Sequence, residues 1–112
     1  MMSLVRPSGT SSVLVALALL LSGLEQAAAV NPQQGKRLVL TYCARCHAID
    51  KVSPSPLRIA PPFRTLHERY PVENLAESLA EGIRTGHPTM PEFQLDPGQV
   101  ADVIAYLKAL EP

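Results

Sequence analysis

No third cysteine accompanies Cys43 and Cys46 in this 112-residue chain. Two thiols three positions apart close a trivial loop, so a disulfide framework is excluded as the main source of stability. A membrane-spanning helix is equally lacking. The apolar run Val13–Leu24 is about 12 residues long, against the roughly 20 that a crossing requires. No alternating polar and apolar pattern marks a strand, and there is no internal repeat or low-complexity tail. The formal net charge is zero, and no nucleic-acid partner is expected.

What the first 29 residues do contain is an ordered series: Arg6, then the short apolar run, then small residues in "EQAAA". That order is the pattern of a secretory signal, and Ala27 and Ala29 suit a small-x-small cleavage site. The expected organisation is therefore a cleaved signal peptide over 1–29 and one domain over 30–112. The expected location is the periplasm, with molecules that keep the signal anchored to the membrane. No stable membrane span is expected after cleavage. The segment holds no cysteine, which rules out a lipid-modified cysteine there. A domain of about 83 residues buries too little surface to be comfortably stable alone. A large buried cofactor would supply the missing reinforcement.

Helical grammar dominates the rest. "NPQQ" sets Asn31 as N-cap, Pro32 at the first helical position and Gln34 at the third, and "DPGQ" repeats this with Asp96, Pro97 and Gln99. Gly35, Leu38, Val39, Tyr42, Cys43 and Cys46 recur at helical spacing after the first start. Val100, Val103, Ile104, Leu107 and Leu110 do so after the second. A third helix is predicted through Val72, Leu75, Leu79 and Ile83, with Gly86 as its stop, and a short one over Phe63–Arg69. The predicted class is all-α, with three to four helices. Two loops, Ala48–Pro62 and Gly86–Pro97, are rich in proline and expected to be stiff.

The chemistry concentrates in "CARCH", Cys43–His47. A redox dithiol belongs near a strand–helix–strand pattern, which is missing. Structural zinc needs four ligands, which two cysteines and three scattered histidines supply awkwardly. Covalent haem attachment takes the spacing C-x-x-C-H itself. At a helix end, positions 43, 46 and 47 share one face, so both thiols reach one edge of a haem and the imidazole turns beneath its iron. A sixth ligand is then required. Once the signal is gone, Met90 is the remaining methionine. It sits in "GHPTMPEF" before Pro91, which biases its backbone toward extended angles. A thioether in a stiff loop suits an axial ligand, with His87 as its rival. His67, in the polar "LHERY", reads as a solvated helix residue.

These stretches resemble the class I c-type cytochromes, specifically the small bacterial monohaem type, over nearly all of Asn31–Glu111. "GKRLVLTYCARCH" is similar to the family's first helix and haem-binding site. "APPF" is similar to the segment beside the histidine, "TMPEF" to the methionine loop and "VADVIAYLKAL" to the final helix. The resemblance implies one haem c, covalently held by Cys43 and Cys46, with iron bound by His47 and Met90. It implies that the Pro61 carbonyl accepts the other ring N–H of His47 and that Phe63 and Phe93 pack on the haem. It also implies that Gly35 lets the first helix cross the last near Tyr106. Arg58 and Tyr70 are candidate propionate partners.

A haem with two strong axial ligands implies single-electron transfer between redox partner proteins rather than an enzyme. The alternatives are a haem subunit of a larger dehydrogenase or oxidase complex, and a haem sensor or enzyme with a labile sixth ligand. Charge is unevenly distributed along the chain. From Lys36 to Arg69 there are seven basic and two acidic residues, and from Tyr70 to Pro112 two basic and seven acidic. A basic rim that steers an acidic partner is one reading, and ordinary solvated faces are the other. Electron-transfer rates that do not fall with rising salt would exclude steering.

Overall fold

The computed structural model describes residues 3–4, 28–84, 87 and 89–112. Nearly all of the expected signal segment lies outside the described residues, as do Gly86 and Pro88. Among the described residues there are three α-helices: α1 (Pro32–Tyr42), α2 (Leu75–Glu81) and α3 (Pro97–Ala109). Two 3-10 helices, Phe63–Glu68 and Val72–Asn74, join them, and no strand occurs among the described residues. The all-α expectation holds.

Both predicted helix starts form, by different means. At α3 the Asp96 carboxylate accepts from the Gln99 N–H at 2.9 Å, and Gln99 returns a bond to the Asp96 N–H at 3.1 Å. This is a closed capping box. At α1 the Asn31 side chain accepts from the N–H groups of Gln33 and Gln34. Its own N–H, however, donates to Asp102 on α3 at 2.6 Å, and Gln34 instead accepts from Arg37. A tertiary contact thus replaces the local half of the box.

The expected third helix is corrected. It divides into the 3-10 turn Val72–Asn74 and α2, and it ends at Glu81, well before Gly86. Gly82 ends it, with φ of +112°, a conformation L side chains rarely adopt. A Cβ there would also lie 2.8 Å from a carboxylate oxygen of Glu92. Ile83 therefore leaves the helix.

The core forms where α1 crosses α3 and where α2 and the 3-10 segments close against them. Val39, Leu66, Val72, Leu79, Val100, Val103 and Leu107 fill it. The crossing is close because position 35 has no side chain. A Cβ on Gly35 would fall on the Asp102 carbonyl and lie 3.0 Å from the Tyr106 Cβ. The pairing of Gly35 with Tyr106 is as the sequence implied. Lys108 of α3 also pairs with Glu73 of the second 3-10 helix.

Candidate cofactor site

Regular helix stops at Tyr42, one residue before the first cysteine. The chain then continues as a tight turn in which His47 N–H donates to the Cys43 carbonyl at 2.9 Å and Cys46 N–H donates to the same oxygen at 3.2 Å. The turn keeps one helix-like revolution between Cys43 and His47. The shared face inferred from spacing therefore survives, although the helix itself does not reach Cys46.

His47 is oriented by the proline loop. Its Nδ1 lies 2.8 Å from the Pro61 carbonyl oxygen. A carbonyl only accepts, so Nδ1 carries the proton and the lone pair belongs to Nε2. The Phe63 ring leans on the imidazole, with centroids 4.8 Å apart. The loop that delivers Pro61 is closed by its own polar groups. Phe63 N–H donates to Ala48 O at 2.9 Å and Leu57 N–H to Cys46 O at 3.0 Å. The Ala48 N–H donates to Ser55 Oγ at 3.0 Å. Asp50 accepts from Val52 N–H, Ser53 N–H and Ser53 Oγ, at 2.8, 2.6 and 2.6 Å. Those bonds hold its carboxyl well below the ordinary range, at about 2. Arg64 donates to the Ser53 carbonyl at 2.6 Å, and Tyr106 OH donates to Ile49 O at 2.6 Å. Four prolines stiffen this loop, but its ends are positioned by side chains that spacing did not single out.

Cys43, Cys46, His47, Pro61, Phe63, Met90 and Phe93 all line one apolar cleft of about 280 Å³. Every predicted site residue is thus brought to the same place. Leu57, Ile59 and Ile83 join them, and Tyr42 stands at the edge, stacked on Phe93 at 5.9 Å and 21°. Of the two propionate candidates, Tyr70 lines the cleft and Arg58 does not. His87 lines it too and lies beside Thr89, whose Oγ1 is 2.9 Å from its Nδ1. The reading of His67 as solvated is corrected. The three-residue period of the 3-10 helix turns it partly inward, and its Nδ1 is buried with no hydrogen-bond partner among the described residues.

The chemistry of the donors separates the alternatives. Burial pushes the Cys43 thiol up to about 11. A redox dithiol needs the opposite, a thiol lowered toward neutrality. Among the described residues no three His, Cys, Asp or Glu side chains converge as a metal cluster, so zinc lacks a ligand set. An imidazole with its free lone pair on Nε2, a thioether in the same cleft and two thiols beside the imidazole fit a covalently attached haem, whose flat apolar body matches the lining. The fold and this donor set are those of a small c-type cytochrome of class I fold, carrying haem c.

Comparison with known proteins bears this out. Residues 30–107 match the family described as cytochrome c oxidase, cbb3-type, subunit III, and the chain belongs to that family. It is similar to cytochrome c-552 of Bradyrhizobium diazoefficiens, with 29% identity over 91 residues, covering 81% of this chain and 86% of the relative. No solved structure matches the chain. Family membership supports haem-based electron transfer.

Proposed function

We propose that the chain is an exported electron carrier that passes single electrons between redox partner proteins, with His47 and Met90 as the axial ligands of one haem. The observation that carries this is the 2.8 Å bond from His47 Nδ1 to the Pro61 carbonyl. It fixes both the tautomer and the plane of the ring and strengthens the imidazole as a ligand. When bound, the haem supplies a one-electron ferrous–ferric couple. Cys43 and Cys46 would hold it through thioether bonds, and His47 beside them would bind its iron. The Met90 thioether favours the ferrous state and raises the potential relative to a second histidine. The apolar lining excludes water, and the stiff backbone on both sides limits rearrangement between redox states. Passing an electron asks for no acid, base or nucleophile.

Export rests on the signal-like segment over 1–29, with the periplasm as destination. Among the described residues no helix is long and apolar enough to cross a membrane. The mass of the protein recovered from the periplasm tests cleavage after Ala29, and a mass that retains those residues excludes it. A second reading is favoured by the matched family, whose description is that of an oxidase subunit. In that reading the domain serves as a haem subunit of a larger oxidoreductase, and stable co-purification with one distinguishes it from a free carrier.

The ligand assignment is tested on protein made in a host with haem-attachment machinery. The ferric spectrum is expected to show the weak long-wavelength band of iron–methionine sulfur bonding, and Met90→Ala to lose it. Attached haem without that band in the parent protein would refute Met90 and bring His87 forward.

A further inference from the structure

Met90 begins an irregular stretch that runs to Asp96 at the start of α3. Three ties fasten this stretch to α2 and the residues that follow it. Leu95 N–H donates to the Leu79 carbonyl at 2.9 Å. The Gln94 side-chain amide donates to the Glu81 carbonyl at 2.6 Å. The Glu92 carboxylate meets the Arg84 guanidinium at 3.3 Å. All of these are on one side of the cleft. Toward α1, Leu95 joins the core that holds Val39, and Phe93 stacks on Tyr42 with ring planes 21° apart. Tyr42 is the last residue of α1 and precedes Cys43, and Phe93 follows Met90 by three positions.

The two rings thus join the part of the chain that carries the cysteines and His47 to the part that carries Met90. Tyr42 is 52% exposed, so its ring has one face toward solvent and one face covered. Its covered face lies on Phe93 and on the mouth of the cleft. Offset stacking of this kind contributes beyond the area it buries.

We propose that Tyr42 is a positioning residue for the sixth ligand. Its stack on Phe93 clasps the Met90 stretch to α1 and so sets how readily an outside ligand displaces the Met90 sulfur. This rests on the reading of Met90 as the axial ligand. The phenol oxygen has no part in it, since the flat ring supplies the contact. The three polar ties reach α2 and Arg84 just beyond it, none of which carries a haem ligand.

The test uses the full holoprotein and imidazole as the probe. Imidazole binding to the ferric form is titrated for the parent, Tyr42→Ala, Tyr42→Leu and Tyr42→Phe, and the sulfur band is recorded for each. Tyr42→Ala and Tyr42→Leu are expected to bind imidazole roughly threefold to tenfold more tightly and to weaken the band. Tyr42→Phe is expected to match the parent. Tyr42→Leu keeps apolar bulk at the site, so a general loss of folding is separated from loss of the stack. If the parent shows the band, Met90→Ala loses it, and Tyr42→Ala still binds imidazole as the parent does, the clasp is wrong while the ligand assignment stands. If Tyr42→Phe weakens the band as much as Tyr42→Ala, the hydroxyl is responsible and the proposal fails. A parent protein without the band overturns the ligand assignment, and the clasp with it.

Discussion

Replacing Gly35 by alanine tests the contact on which the placement of the site depends. The added methyl would fall on the backbone carbonyl of Asp102 and lie 3.0 Å from the Tyr106 Cβ. A carbonyl in the middle of α3 cannot turn aside as a flexible side chain would, so the two helices must separate or shift. Overpacking of this sort costs about 1–3 kcal/mol and can exceed that where backbone is involved. Alanine returns about 1 kcal/mol through its better helix propensity. Because the clash is with backbone, the cost is taken at the upper end, about 3 kcal/mol, and the expected net loss is about 2 kcal/mol. For a domain of this size that lowers the melting temperature by roughly 8–16 °C. Thermal unfolding of the holoprotein followed by far-ultraviolet circular dichroism measures it. Gly98→Ala is the control, because its Cβ would meet only the Asp96 carboxylate, at 3.3 Å. If Gly35→Ala melts at or above the parent temperature, propensity has won, and the close crossing of α1 and α3 is not a feature of the molecule. Because α1 leads directly into Cys43, a shift of this helix is also expected to weaken the sulfur band, and Gly98→Ala should leave it intact.

Two further outcomes follow from the loop that presents Pro61. Tyr106→Phe removes the donor to Ile49 O and leaves that carbonyl short of a partner, which is expected to cost about 1–2 kcal/mol in denaturant unfolding; no change in the midpoint would show the bond contributes nothing. The Asp50 carboxyl is held down from its ordinary 3.8 to about 2 by its bonds to Ser53 and Val52. Its charged form is therefore favoured by the fold, and its contribution is complete above about pH 4 and lost as pH falls toward about 2. Asp50→Asn is expected to be less stable than the parent at neutral pH, with the difference closing through that acid range. A difference that persists undiminished below about pH 2 would show that the asparagine acts by some route other than lost charge.

The sequence alone determined the cofactor chemistry. Cys43, Cys46 and His47 are neighbours in the chain, so their mutual geometry is local and needs only one turn of backbone to become a haem-attachment site. The helix starts at Asn31 and Asp96 were legible for the same reason, since a capping side chain reaches the N–H groups two or three residues on. Met90 was legible as the remaining methionine, set before Pro91, but the place of Pro61 and Phe63 beside His47 came from family resemblance, because nothing local ties residues 14 and 16 positions away to it. Tertiary structure decided the rest. It sent the Asn31 N–H to Asp102 and not to Gln34, since a carboxylate across the crossing is the stronger acceptor. It ended α2 at Gly82, where Glu92 and the backbone angle leave no room for a side chain, while the apolar period ran on to Ile83 and pointed to a later stop. It turned His67 inward, because a 3-10 helix eclipses every third residue and the sequence does not distinguish that period from 3.6 over six positions. The pairing of Tyr42 with Phe93 was likewise invisible: Tyr42 reads as one apolar position of the first helix and Phe93 as a ring on the haem, and only in the folded chain do two rings 51 positions apart stack on each other.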